Sequence, residues 1–296
     1  MKILVLTSAT GGGHNMRANS LKAWSETPVG RAANLDVSIH LTLENTHNLY
    51  RFGVGLYNFI QMRCPSLHHL YFNYLEKIPH FDHGRMIQNK QRFQEVVCGE
   101  EPDIVLSTHA HLNHGFFELA QESMPGRPPK TVTCCGELHW SYGFSKRWVN
   151  PKADLFVGAV PETCHAAQRL GMPINRIYEG GFLLRPTFFG PDLTPQESAD
   201  YVSHELGLDP GRFLLVLGTG ANGANHHIPL LEAMHNADLR NLQVLALCSQ
   251  NKELSSKITR WADAHTNITV RTLPYIKNMK PLLQAASALV CRSGTG

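Results

Sequence analysis

Three stretches of this chain bring together residue types that can do chemistry. The first is Thr7-Ser8-Ala9-Thr10-Gly11-Gly12-Gly13-His14, in which three glycines lead into an imidazole. Glycine lets a backbone approach a ligand closely, and the amides that open a following helix favour an anion or a developing negative charge. A histidine there, with an ordinary pKa of about 6.5, suits the work of a general base. The second stretch is Ser107-Thr108-His109-Ala110-His111-Leu112-Asn113-His114, a density of imidazoles that can mean zinc. Asn113 stands where a two-zinc cluster of this spacing needs a carboxylate, and a neutral carboxamide is a poor ligand. A zinc hydrolase is therefore the weaker reading. The expected metal content is none, with Thr108 and His109 lining a substrate cleft. The third stretch is Leu217-Gly218-Thr219-Gly220-Ala221-Asn222-Gly223, whose turn amides can cradle a diphosphate. A related turn, Arg292-Ser293-Gly294-Thr295-Gly296, adds a guanidinium that can pair with phosphate oxygens bidentately.

These turns need elements to hold them, and the pattern supplies strands. Short apolar runs at 3–6, 36–41, 104–107, 131–133 and 155–157 recur in the first half, and at 213–217, 244–248, 268–270 and 288–291 in the second. The stronger runs end in small, polar or glycine residues, as parallel strands do before a βα loop. Between them, 17–26, 162–170 and 228–234 suit amphipathic helices. The expected class is α/β twice over. The break is expected in the Pro-rich segment that starts Arg185-Pro186-Thr187, giving domains 1–185 and 186–296. The last run opens into a glycine turn with no covering helix, so the second domain reads as incomplete.

Nicotinamide binding is disfavoured. It needs GxGxxG and an acidic residue closing the second strand, whereas the run here is GGGH and the second strand reads through Leu41-Thr42-Leu43-Glu44. A net charge of +3 over 296 residues is too mild for nucleic acid and compatible with anionic lipid or diphosphate. Seven cysteines without a CxxC pair fit reduced thiols, and Cys134 and Cys135 have no basic neighbour in sequence to activate them. No apolar run approaches the roughly 20 residues that span a bilayer, and the first residues form a strand rather than a leader. The expectation is a cytoplasmic protein, peripheral to the membrane. The segment 45–78 is rich in Tyr, Phe and Leu and has two readings, an amphipathic surface dipping into a bilayer interface or helices packed in the core. His139-Trp140 at a strand exit can pack on lipid or sugar, and His226-His227 is expected to cap the helix after the second glycine loop.

Taken in order, these pieces resemble the monogalactosyldiacylglycerol synthase and processive diacylglycerol glucosyltransferase family, related to MurG. The resemblance runs through Thr10-Gly11-Gly12-Gly13-His14, Thr131-Val132-Thr133 with His139-Trp140, and Ala153-Asp154-Leu155-Phe156-Val157. It continues through Gly180-Gly181-Phe182-Leu183-Leu184-Arg185-Pro186, Leu217-Gly218-Thr219-Gly220, Tyr275-Ile276-Lys277-Asn278-Met279 and the terminal glycine turn. It implies a GT-B fold of two Rossmann-like domains facing a cleft, inverting transfer from a UDP-sugar to a lipid acceptor, no cofactor, and contact with a membrane but not with nucleic acid. It further implies that His14 is catalytic with Gly11, Gly12 and Gly13 beside it at the reacting centre; these glycines, together with Thr108, His109, His139 and Trp140, are assigned to the acceptor side. On the donor side it implies Gly218, Thr219 and Gly220 at the diphosphate, Ile276 and Met279 at the base, and Arg292, Ser293, Gly294 and Thr295 at the sugar and phosphate. Where the family carries an Asp after the strand at 131–133, this chain has Glu137, taken as its catalytic substitute. A nonhydrolysing sugar-nucleotide epimerase shares the fold and is the alternative.

Overall fold

In a parallel sheet covered on both faces, strands read as unbroken apolar runs whose alternate residues enter two different layers. Leu4 and Leu6 enter one core cluster with Val105, Phe116 and Phe156, while Ile3 and Val5 enter another with Ala18 and Val37. The structure, a computed structural model, describes residues 1–64, 67–78, 81–140, 144–218, 227–249 and 251–291. The chain forms two units, Met1–Pro186 and Thr187–Gly294.

The first unit contains β1 (Lys2–Thr7), β2 (Asp36–Leu41), β3 (Ile104–Ser107), β4 (Lys130–Cys135), β5 (Leu155–Gly158) and β6 (Ile177–Glu179). All its neighbouring strands are parallel, in the order β2-β1-β3-β4-β5-β6. Its helices are α1 (Gly13–Ser25), α2 (Pro28–Ala32), α3 (Thr42–Thr46), α4 (Asn48–Arg63), α5 (His68–Lys77), α6 (Lys90–Glu100), α7 (Gly115–Ser123) and α8 (Pro161–Arg169). The second strand ends at Leu41, where Thr42 opens α3 and carries Glu44 back toward the β1 turn. β6 was not anticipated: it is three residues long, and two of them, Tyr178 and Glu179, are exposed, so it lacks the apolar run that marks the others.

The second unit holds α9 (Pro195–Asp200), β7 (Phe213–Gly218), α10 (His227–Asn236), β8 (Leu242–Ser249), α11 (Lys252–Ala264), β9 (Thr269–Pro274), α12 (Lys280–Ala285) and β10 (Ala288–Cys291). Its parallel sheet runs β10-β7-β8-β9. The same alternation recurs. Leu215 and Leu217 pack with Leu231, Leu254 and Ile258, while Leu214 and Val216 pack with Val202, Leu206 and Leu282 on the other face.

In each sheet the chain order reverses at one place, beside β1 and β3 in the first unit and beside β7 and β10 in the second. Loops leaving the carboxyl ends of such strands diverge and open a crevice, where ligands of open α/β sheets bind. The glycine turn at 11–13 and Gly218 at the end of β7 lie at these two places.

Candidate functional site

The turn after β1 needs its glycines. Gly11 and Gly12 have φ of 74° and 106°, the left-handed region that side chains resist, and Gly12 is the residue from which α1 starts. The turn is held by side chains from elsewhere. The Ala9 amide donates to Glu44 (2.6 Å) and the Gly11 amide to Asn58 Oδ1 (3.0 Å), while Asn58 Nδ2 donates to the Ala9 carbonyl (2.9 Å). The Gly12 amide donates to the Thr10 carbonyl at 3.0 Å. Three amides that would otherwise face an anion are thus engaged within the protein, and the loop's work is to place the first turn of α1.

That turn carries His14. Its Nδ1 lies 2.6 Å from the Thr108 carbonyl oxygen. A carbonyl can only accept, so Nδ1 carries the proton and Nε2 keeps its lone pair. Among the described residues both polar contacts of the ring fall on Nδ1, leaving Nε2 as the nitrogen a ligand can address. Burial, then the charge of Arg17, pushes the pKa of His14 down to about 3 despite the helpful bond to Thr108. The ring is therefore neutral at physiological pH.

Thr108 and His109 turn inward. Thr108 is fully buried, and its hydroxyl donates to the His14 carbonyl at 3.1 Å. His109 is 5 % exposed, and its Nδ1 accepts from the His111 amide (3.2 Å). Its Nε2 therefore donates to the Thr10 hydroxyl (2.9 Å). Both residues, expected to touch an acceptor, instead fix the His14 loop; the rings of His14 and His109 lie 4.4 Å apart. Burial holds the pKa of His109 well below its ordinary value.

The three-histidine stretch does not assemble as a metal cluster. Asn113 is fully buried, and its Nδ2 donates to the carbonyls of Ala110 (3.1 Å), Arg147 (3.0 Å) and Trp148 (3.4 Å), while its Oδ1 accepts from Thr133 (3.2 Å). Its carboxamide pins the segment at 145–149 to the end of β3, a task that needs a donor and an acceptor on one side chain. Among the described residues no group of three His, Cys, Asp or Glu side chains is arranged to hold a metal ion.

That segment delivers Trp148, 2 % exposed, whose ring lies 5.9 Å from that of His14. Arg17, three residues after His14 and 1 % exposed, places its guanidinium carbon 5.8 Å from the centre of the same indole. Arg17 also donates to the Thr108 carbonyl at 3.1 Å. Beyond β4, Glu137 accepts a hydrogen bond from Trp148 and faces the charges of Arg17 and His139; burial, the largest influence, raises its pKa above the usual carboxylate value. His14 and Glu137 are thus brought to one centre through Arg17 and Trp148, two residues that no sequence motif marked. The i, i+3 spacing of His14 and Arg17 on one helix face was the available signal; Trp148 offered none. Cys134 and Cys135 lie at the same strand end, and burial pushes both thiols upward, away from nucleophilic ionisation. His139 and Trp140 stay on the surface, with the Arg169 guanidinium 3.9 Å from the Trp140 ring centre.

In the second unit, Gly218 ends β7 opposite Cys291 of β10. A Cβ on Gly218 would stand 3.3 Å from that of Cys291, so glycine permits the close approach of the two strands there. Ile276 and Met279 come after β9 and lean, partly buried, on the layer of Val202, Leu206 and Leu282. Thr219, Gly220, Arg292, Ser293, Gly294 and Thr295 lie outside the described residues. His227 is not a simple cap: it is buried, and its Nε2 donates to the Leu247 carbonyl at 3.1 Å, tying the start of α10 to β8. His226 lies outside the described residues.

The segment 45–78 divides between its two readings. Tyr50 and Val54 enter the core, whereas Leu49, Phe52, Leu56 and Phe59 of α4 are 59, 67, 36 and 54 % exposed. Their spacing of three, four and three residues puts them on one helix face. Leu67, Leu70 and Tyr74, at and beyond the start of α5, repeat the pattern. No described helix is long and apolar enough to cross a membrane.

Comparison with known proteins gives a consistent picture. Residues 213–296 match the glycosyltransferase family 28 C-terminal domain. The chain is 23 % identical to a processive diacylglycerol beta-glucosyltransferase of Bacillus cytotoxicus, the match covering 99 % of this chain and 71 % of that protein. It is 22 % identical to monogalactosyldiacylglycerol synthase 1 of Arabidopsis thaliana, across 100 % of this chain and 55 % of the plant protein; the chain thus spans little more than half of that relative. Among solved structures, HepE of Anabaena in complex with UDP-glucose superposes with a TM-score of 0.53 at 11 % identity, covering 98 % of this chain and 73 % of that one. MurG of Acinetobacter baumannii gives 0.50 at 14 %, covering 100 % and 73 %. A UDP-GlcNAc 2-epimerase of Neisseria meningitidis gives 0.53 at 10 %, covering 100 % and 78 %.

Proposed function

We propose, from the premise that this chain is a glycosyltransferase of GT-B fold similar along its whole length to the monogalactosyldiacylglycerol synthase and diacylglycerol glucosyltransferase group, that it moves a hexose from a UDP-sugar to the hydroxyl of a lipid such as diacylglycerol, with inversion. The observation that carries this reading is the state of His14: neutral, tautomerically fixed through Thr108, with Nε2 available at the carboxyl end of the sheet. In the proposed step the acceptor oxygen forms a bond to the anomeric carbon as the bond from that carbon to the diphosphate oxygen breaks. The acceptor proton passes to His14 Nε2, and the electron pair leaves with UDP. Protonated His14 then stands beside the Arg17 cation, so it gives its proton up readily. The Glu137 carboxylate faces the Arg17 charge. Gly218, Thr219 and Gly220, with Ile276 and Met279, are assigned to the donor in this reading, and Arg292–Gly296 to its phosphate and sugar.

The lipid part of the proposal is supported by the two exposed apolar rows at 49–59 and 67–74. Arg51 and Lys77 flank them as exposed cations suited to anionic headgroups. The helix that bears the first row also bears Asn58, which is bonded to the turn before His14. Contact with a membrane surface would therefore act on an element already tied to the site.

The test is a panel of labelled UDP-sugars offered to the full-length protein with vesicles containing diacylglycerol. Label appearing in a glycolipid with inverted anomeric configuration supports the proposal. Isomerised UDP-sugar without any lipid product would instead support the epimerase alternative.

A further inference from the structure

We propose that Arg17 is a positioning residue of this site: its buried guanidinium, seated against Gly136, holds in place the Thr108 carbonyl that fixes His14 in one tautomer. This rests on the transfer reading for its kinetic consequences, but not for its structural ones.

A guanidinium at 1 % exposure is costly unless its surroundings compensate for the lost water. Here those surroundings are parts of the site itself. The Arg17 NH2 group donates to the Thr108 carbonyl at 3.1 Å, the carbonyl that His14 Nδ1–H also reaches, so two donors converge on one acceptor. The same NH2 lies 3.0 Å from His14 Nδ1. Were Nδ1 bare, it could accept from Arg17, but it would then face the Thr108 oxygen lone pair to lone pair at 2.6 Å, so the shorter contact selects the Nδ1–H form. The indole of Trp148 lies along the guanidinium on one side.

Gly136 records the same fit. A Cβ at that position would overlap Arg17 Nη1 and stand 2.5 Å from the guanidinium carbon. Its φ is not in the left-handed region, so the backbone alone does not demand glycine there; space for the guanidinium does. The next residue is Glu137, and the charge of Arg17 opposes the rise that burial imposes on its pKa. The charged and titratable groups that bear on His14 are Arg17 from α1 itself and His109 and His111 from the segment after β3; Glu137, after β4, faces Arg17. A residue serving packing alone would not need a planar fork reaching the histidine's own acceptor.

The test reads His14 directly by nitrogen NMR of histidine-labelled protein, beside the kinetics. In the wild type His14 is expected as the Nδ1–H tautomer, neutral to below about pH 5. In Arg17→Met its titration midpoint should rise by roughly one unit and the single tautomer should be lost. The transfer kcat should fall roughly tenfold or more, with KM for the UDP-sugar within about twofold. Arg17→Lys, which keeps the charge but not the fork, should restore the low midpoint without restoring the full rate. Gly136→Ala, which removes no charge but crowds the guanidinium, should move the same signals in the Arg17→Met direction. A folded Arg17→Met with wild-type tautomer and midpoint would overturn the proposal, as would a rate loss lying wholly in KM. If Arg17→Met does not fold, wild-type NMR signals and kcat in both Arg17→Lys and Gly136→Ala would overturn it equally. A wild-type protein that transfers no sugar would refute the transfer reading while leaving the NMR outcome to decide the role of Arg17.

Discussion

Lowering the pH from 7 to 5 should unfold the first unit, because it buries several imidazoles in neutral form. His14 and His111 are pushed down to about 3, His40 to about 4 and His109 well below its ordinary value, with burial the largest cause in all four. In the unfolded chain each titrates near about 6.5. A group whose folded pKa is depressed binds its proton first in the unfolded state, so the stability it contributes is complete above about pH 6.5 and is lost progressively below it. Each such histidine adds a slope of about 1.4 kcal/mol per pH unit between its two pKa values, so these four together contribute up to about 5 kcal/mol per pH unit near pH 5, and His114, also lowered by burial, acts in the same direction. Glu137, whose carboxyl is pushed up by burial, offsets this by at most one proton. Against a typical total of about 5–15 kcal/mol, that loss is decisive. Urea unfolding monitored at several pH values measures the slope. His40 lies away from the His14 centre, its ring 6.1 Å from that of Phe93, so His40→Gln should lower the slope by about one proton, roughly 1.4 kcal/mol per pH unit. A stability that stays flat from pH 7 to 5 would refute the neutral burial of these rings, and with it the argument for His14 as a base.

The geometry sets two further outcomes. Asn113→Ala removes the amide that serves the carbonyls of Ala110, Arg147 and Trp148, and should cost about 2–4 kcal/mol and loosen Trp148, read by its fluorescence; an unchanged melting temperature would contradict its role as a pin. Phe52→Ser combined with Phe59→Ser removes two side chains that are 67 and 54 % exposed, and should weaken sedimentation with anionic vesicles roughly tenfold or more without lowering thermal stability. Unaltered vesicle binding would assign the row to something other than lipid.

Much of the fold was legible because parallel strands announce themselves. The runs at 36–41, 104–107 and 288–291 coincide with β2, β3 and β10, because short runs containing Val, Ile and Leu and closed by small or polar residues have few alternatives. Edge strand β6 escaped because an exposed strand needs no apolar signature. The centre around His14 was only half legible. The glycines and the histidine are adjacent in sequence, so their turn could be read. Arg17, Gly136 and Trp148 matter through contacts between residues about 100 or more positions apart, which no local pattern records. Thr108 was harder to read for the opposite reason: a polar side chain after a strand looks like a ligand contact, but here its hydroxyl donates to the His14 carbonyl of the neighbouring turn. Segment 45–78 admitted two readings in sequence because one helix carries both, with Val54 packed inward and Phe52 and Phe59 turned outward.

The most direct test of the account compares wild-type protein with His14→Ala, measuring labelled sugar transferred from UDP-sugar to diacylglycerol in vesicles and, in parallel, UDP binding. The account predicts a roughly 10²–10⁴-fold loss of transfer, with UDP binding and thermal stability close to wild type. Turnover by His14→Ala within a few-fold of wild type would contradict it.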